Sequence, residues 1–318
     1  MYLGVEIGGT KLQVGLGEGG GELRSLWRGT VVPAEGRAGI CQQLQKAIPQ
    51  LLGQAGVTVN QLHCAGIGFG GPTDDTTQTV ITSHQVAGWD GFPLAAWMRD
   101  LLGGVPTVLC NDADVAGLAE AKYGAGRGLS PLFYMTIGSG IGGGLIVDGR
   151  IYRGVGQGAA EIGHVPVNPQ GEELEALASG WGLAAQARRR LEQGEPSLLT
   201  EMVQGEWQRL TGRQVTEAAQ RGDALAQSVW NAALDALAYA VDLIIRLLCP
   251  RRIVIGGGVS LLGEEYLFQP LRRRVEARVF PPFRGLTDIV PAQLGEEVVV
   301  HGAIALARQY WEKTRSSA

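Results

Sequence analysis

Cysteine is scarce in this sequence. Four residues, Cys41, Cys64, Cys110 and Cys249, are scattered over 318 positions, and no CxxC pair occurs. That spacing excludes a disulfide framework and a cysteine-rich zinc cluster, and reads as small buried hydrophobes in a reducing cytosol. Long apolar runs are missing too, since none reaches the roughly 18 residues that a membrane span needs. The nearest approach, 240–249, is interrupted by Asp242 and Arg246 and ended by Pro250, so a buried core helix is expected there. Neither sign of charge is in excess: 27 basic and 31 acidic residues leave a formal −4. That balance gives no electrostatic reason to expect nucleic acid or an anionic membrane as a partner. The opening Met1-Tyr2-Leu3-Gly4-Val5 has no signal-peptide pattern. A soluble cytoplasmic protein is expected.

Glycine is what the chain has instead. Its 49 residues make up about 15% of the sequence, roughly twice the usual 7%. No G-X-Y period accompanies them, so collagen is excluded, and little Ser or Pro enrichment argues against disorder. They cluster at 8–9, 66–71, 138–144, 154–163 and 256–258, each at the end of an apolar stretch. Glycine is tolerated where backbone turns sharply or approaches a ligand closely. Several such clusters together point to an anionic ligand held by main-chain amides.

The periodicities predict an α/β chain. Tyr2–Ile7, Leu12–Leu16 and a third strand ending near Val31-Val32 read as an antiparallel meander. A helix over about 39–54 follows, with Pro49 placed to kink or shorten its last turn. Cys64–Phe69 reads as a buried strand, 93–102 as a helix, and Thr107–Cys110 as a strand delivering Asn111-Asp112 at its carboxyl end, before a helix over 113–123. The pattern then restarts. Strands are expected at 132–137, 142–147 and 150–152, helices through 172–249, a strand at 252–255, and helices at 259–278 and 298–312. The tail from Thr314 to Ala318 reads as frayed.

Glu6-Ile7-Gly8-Gly9-Thr10-Lys11 joins two strands by a tight turn. From the residues alone this is first an ordinary hairpin turn; the alternative is that amides at Gly9 and Thr10 bind phosphate oxygens, with Lys11 adding charge. No GxxxxGK[ST] loop occurs. Thr136-Ile137-Gly138-Ser139-Gly140 repeats the strand–turn–strand arrangement in the second half. Two opposed glycine turns can grip a polyphosphate. A carboxylate at Asp112 can accept a proton from an attacking hydroxyl, or cap the helix that follows.

These stretches together resemble the ROK group (repressors, open reading frames and sugar kinases) of the actin/hexokinase superfamily. The matches run the length of the chain in order: EIGGTK at 6–11, GIGFGGP at 66–72, GWDGFPL at 88–94, NDADVAGLAE at 111–120, TIGSGIGGG at 136–144, EIGH at 161–164, ASG at 178–180 and IVIGGGVS at 253–260. The resemblance implies two ribonuclease-H-like α/β domains flanking a cleft. Here these are a small N-terminal domain of 1–112 plus 299–318, closed by the C-terminal helix, and a larger one of 113–298. It implies ATP-dependent phosphorylation of a hexose, glucose at the 6-hydroxyl foremost, in a homodimer.

By the same resemblance Asp112 is the base, and Gly70, Asn111, Glu161, His164 and Glu175 bind sugar. Gly8, Gly9, Thr10, Lys11, Thr136, Gly138, Ser139, Gly140, Gly256, Gly257 and Gly258 hold ATP, and Glu6 holds Mg²⁺ through water. Ser83–Trp89 edges the sugar, with Trp89 as either core or platform. Three departures stand out. Glu6 replaces the family's usual Asp; Asp114 stands where a second Asn is usual and is expected to support the loop. The zinc signature CxCGxxGC is absent from Val165–Glu173, so no zinc is expected and His164 reads as a sugar contact or a structural histidine. Alternatives are a kinase for an N-acetylhexosamine, mannose or fructose, and a sugar-binding sensor or weakened kinase. Family regulators carry a DNA-binding extension, and only five residues precede Glu6.

Overall fold

The computed structural model describes residues 1–83 and 85–316. The meander forms as β1 (Tyr2–Ile7), β2 (Lys11–Gly17) and β3 (Leu23–Thr30). The third strand stops short of the expected Val31-Val32. There the Val31 N–H donates to the Thr10 carbonyl at 3.0 Å, and the Val31 side chain turns into the core. β4 (Cys64–Phe69) lies parallel to β1. A short antiparallel pair, β5 (Thr73–Asp74) and β6 (Thr79–Val80), was not foreseen from the sequence. β7 (Thr107–Asn111) completes a sheet of order β3-β2-β1-β4-β7.

β1 and β4 are buried at every position, because helices cover this sheet. Helix α1 (Gly36–Ala55) lays Leu44, Ile48 and Leu51 into the core beside β2 and β3, and it runs through Pro49 without stopping. Helix α2 (Leu94–Leu101) packs near β7, and α3 (Asp112–Tyr123) leaves β7 directly. The C-terminal helix (Val298–Ser316) rests on β1, β4 and α3. It lies so close that a Cβ on Gly66 would collide with the Ala303 carbonyl. Trp89 is 1% exposed and packs edge-on to Phe69 at 5.1 Å, which makes it core rather than a ligand platform.

The second meander is β8 (Leu132–Ile137), β9 (Ile141–Val147) and β10 (Arg150–Ile151). Helices α4 (Leu174–Ala178), α5 (Gly180–Glu192), α6 (Leu198–Met202), α7 (Gly212–Gln220) and α8 (Ala224–Leu248) follow. The 240–249 stretch lies at the end of α8, where Val241, Ile244 and Ile245 are buried. β11 (Arg252–Gly256) and β12 (Asp288–Pro291) give the sheet order β10-β9-β8-β11-β12, with β8, β11 and β12 parallel.

The helix expected over 259–278 is broken. A 3₁₀ segment (Gly258–Leu262) and a π turn (Glu264–Phe268) precede α9 (Gln269–Arg278). Gly263, at φ 73 and ψ −166, cannot continue a helix, and Pro270 lacks a donor. The C-terminal helix, α10, extends past the expected 312 to Ser316, so Thr314 and Ser316 are helical rather than frayed; Ser317 and Ala318 lie outside the described residues. Cys64 and Cys110 are buried as expected, whereas Cys41 and Cys249 are only half-buried.

The described chain divides into two compact units. One holds Met1–Ser130, Gly144–Ala159 and the residues from Gln293; the other holds Pro131–Gly143 and Ala160–Ala292. No helix among the described residues is long and apolar enough to cross a membrane.

Candidate active site

In the first unit, the β1–β2 turn is closed by the Gly8 N–H, which donates to the Lys11 carbonyl at 3.0 Å. The end of β4 is tied to it, since the Gly70 N–H donates to the Ile7 carbonyl at 2.8 Å. A Cβ on Gly70 would stand 3.3 Å from Asp112 Oδ2 and 3.4 Å from Gly8 Cα. Turn, strand end and carboxylate therefore share one small region. The Gln85 carboxamide lies over Gly9, Thr10 is exposed, and Lys11 pairs with Glu296 at 3.4 Å. Of the expected sugar-edge loop, His84 lies outside the described residues.

The β7–α3 junction separates two tasks between neighbours. Asn111 caps α3, its Oδ1 accepting from the N–H of Ala113 at 2.8 Å and of Asp114 at 3.4 Å. Its Nδ2 donates to the Gly71 carbonyl at 3.1 Å. Asp112 is the first residue of α3, not its cap. The capping alternative for Asp112 is thereby excluded. Asp114 does support the loop: its buried carboxylate accepts from Arg153 Nη1 at 2.5 Å. Arg153 also donates to Asp75 at 3.0 Å and to the Thr73 carbonyl at 3.1 Å. Sequence reasoning missed Arg153 and Asp75. Arg153 sits at the edge of a glycine cluster, but nothing in the pattern links it to a residue 39 positions away.

Glu6 is 9% exposed, and its Oε2 has no hydrogen-bond partner. Burial raises its pKa from 4.5 to about 7; the charge of Asp112 pushes the same way, and Lys11 opposes both. Buried, ionisable and one partner short, Glu6 suits a cation.

In the second unit, the β8–β9 turn is closed by the Gly138 N–H donating to the Gly140 carbonyl at 2.9 Å. The start of α5 is seated on it, with the Gly180 N–H on the Gly138 carbonyl at 2.8 Å and the Trp181 N–H on the Ser139 carbonyl at 3.1 Å. Glu175 braces the far side: its Oε2 accepts from the Ile141 N–H at 2.7 Å. β11 brings Gly256 opposite Thr136, and Gly257, at φ 82, runs against the Ile137 backbone where no side chain fits. Gly258 begins the 3₁₀ segment beyond. Thr136, Gly138–Gly140 and Gly256–Gly258 are thus neighbours. Glu161 is exposed and precedes a 3₁₀ turn (Ile162–His164). His164 Nδ1 lies 2.9 Å from Glu173 Oε2, and that hydrogen bond raises the imidazole pKa.

The chain is similar to known proteins along most of its length. The model of the ROK family matches residues 2–310. A glucokinase of Halalkalibacterium halodurans is 32% identical over 97% of this chain and 95% of its own length. A ROK hexokinase structure from Thermus thermophilus aligns with a TM-score of 0.81 at 27% identity, covering 98% of this chain and 99% of that one. A ROK family glucokinase from Streptomyces griseus, solved in complex with glucose and AMPPNP, aligns with a TM-score of 0.78 at 30% identity, covering 97% and 99%.

Proposed function

This chain belongs to the ROK family, its fold is the expected α/β actin/hexokinase one, and we propose that it transfers the γ-phosphoryl group of ATP to a hexose, glucose at the 6-hydroxyl. The observation that carries the reading is Asp112. It stands at a strand–helix junction beside a glycine turn, and Asn111 relieves it of capping. In this role Asp112 accepts the hydroxyl proton as the sugar oxygen attacks phosphorus; the new P–O bond forms as the bond to ADP breaks. Amides of Gly9 and Thr10, with Lys11, bind phosphoryl oxygens, as do Thr136, Gly138, Ser139 and Gly140. Gly256, Gly257 and Gly258 admit adenosine close to the backbone. Glu161, His164 and Glu175 hold sugar hydroxyls together with Gly70 and Asn111, Glu175 through its Oε1.

Magnesium, when bound, neutralises phosphate charge and orients the group in transfer. Glu6 is the residue that would hold it, through water, and its unpartnered buried oxygen fits that duty. No group of three or more His, Cys, Asp or Glu among the described residues could hold a metal. The remaining ligands are then phosphate oxygens and water, as is usual for this ion. The loop 165–173 offers no thiols for a structural zinc.

Likeness to glucokinases supports glucose as the acceptor. The test is coupled ADP release with Mg-ATP over a panel of hexoses and N-acetylhexosamines. Asp112→Asn should keep the fold and nucleotide binding and lose at least about a hundredfold in turnover. An Asp112→Asn enzyme of full activity overturns the assignment. Sugar binding without ADP release would favour a second reading, a sensor, for which Glu6 in place of Asp is the motivating feature.

A further inference from the structure

The cysteine-free stretch 165–173 is a built loop, closed by its own hydrogen bonds. Pro166 and Glu173 pair across it in an antiparallel bridge. The Leu174 N–H donates to the Val165 carbonyl at 3.1 Å, and the Val167 N–H to the Glu172 carbonyl at 2.9 Å. Asn168 fixes the tip: its Oδ1 accepts from Gln170 N–H at 3.1 Å and Glu172 N–H at 3.0 Å, while Nδ2 donates to Glu172 Oε2 at 2.7 Å. All this order delivers one carboxylate, Glu173, to His164 Nδ1 at 2.9 Å.

His164 is held from the other side as well. Its 3₁₀ turn packs through Gly163 on the Ile141 carbonyl, so closely that a Cβ there would collide. The Ile141 N–H is in turn bound by Glu175. The imidazole is 57% exposed, and Glu161 and Glu175 add negative charge around it. Glu173 is the carboxylate within hydrogen-bond distance of its ring.

We propose that Glu173 is a positioning residue for His164. Its Oε2 accepts a hydrogen bond from Nδ1–H, and so fixes both the tautomer and the plane of the ring. Which imidazole nitrogen is protonated is set by the hydrogen bond that the other makes, and a carboxylate on Nδ1 leaves the Nε2 lone pair to the ligand. Nε2 then accepts a hydrogen bond from a hydroxyl of the sugar. The proposal rests on the sugar-kinase reading for its ligand, and on the geometry of this one loop for everything else.

The experiment pairs nitrogen NMR of the imidazoles with steady-state kinetics on the full chain, using His164→Gln to assign the His164 signal. Wild type should show His164 with Nδ1 protonated. Glu173→Ala should release that tautomer and raise the KM for glucose about tenfold, the worth of one hydrogen bond, with the KM for ATP unchanged. Glu173→Gln keeps a neutral acceptor and should recover most of the loss. Unchanged glucose KM and tautomer in Glu173→Ala, or an equal rise in both KM values with the tautomer intact, would overturn the proposal. A wild type that phosphorylates no sugar sinks the kinase reading instead, and the nitrogen shifts still decide the pairing.

Discussion

Replacing Glu6 by Gln should stabilise this protein at alkaline pH and leave it unchanged at acid pH. The native environment raises the Glu6 pKa from 4.5 to about 7, with burial first among the causes and the Asp112 charge second. A carboxyl group that binds its proton more tightly when folded favours the native state fully below the unfolded pKa. That contribution is lost as pH rises through the native value, so the sign is opposite to that of a salt-bridged carboxylate. Each tenfold change in proton affinity is worth about 1.4 kcal/mol, which makes the ionised side chain cost up to about 3 kcal/mol above pH 8. At 9% exposure, solvent screening reduces this little. A carboxamide is uncharged at every pH, so Glu6→Gln should match wild type near pH 4.5 and exceed it by about 2–3 kcal/mol at pH 8.5. Urea unfolding in EDTA measures this, with the fluorescence of buried Trp89 reporting on the same unit. A difference of equal size at both pH values, or a less stable variant at pH 8.5, would refute the reasoning.

Asn111→Ala removes both a helix cap and the tie to Gly71, and should cost about 1–2 kcal/mol in urea unfolding. Asp114→Ala leaves the Arg153 guanidinium buried without that carboxylate, and about 3–5 kcal/mol of stability should go with it. The double change with Arg153→Met should recover much of the loss; a double variant as weak as the single one would show that the pair is not the cause. Gly66→Ala drives a methyl group into the Ala303 carbonyl and should destabilise by about 1–3 kcal/mol. Gly53→Ala, in α1 with open space around it, should instead gain about 0.5–1 kcal/mol.

Those two glycines show where reading from sequence worked and where it did not. Strand positions were legible because apolar runs bounded by glycine admit few readings, and Cys64–Phe69 and Leu132–Ile137 fall where expected. The break at Gly263 was not, because nothing in the sequence expectation for 259–278 marked the positive φ of 73 that Gly263 adopts. The expectation that clustered glycines serve a ligand was too general. Gly66 sits in such a cluster, yet what demands its bare Cα is a helix that follows it by more than two hundred residues. β5, β6 and β12 are too short to show a period, and their pairing depends on partners that the local pattern does not contain.

The residues proposed for function divide along the same line. Asp112, the two glycine turns and the Glu161–His164 segment announce themselves by residue type at fixed offsets, because a strand end followed by a turn is a local device. Their supports come from far along the chain or carry no signature. Arg153 reaches Asp114 and Asp75, and Glu175 reaches back to the Ile141 amide. Asn111 is the instructive middle case. The resemblance gives it as a sugar ligand, and only the bonds to Ala113 and Asp114 show that it caps α3 as well. Capping by Asn111 also has a consequence for its neighbour. A cap residue must turn its side chain onto the first helical amides, whereas the next residue is under no such demand. The order Asn-Asp, rather than Asp-Asn, is therefore what places a carboxylate other than the cap at this junction. An Asn111→Asp, Asp112→Asn exchange should keep the cap and the helix while removing activity as thoroughly as Asp112→Asn alone. Recovery of turnover in that exchange would show that position 112 holds no special place in the chemistry.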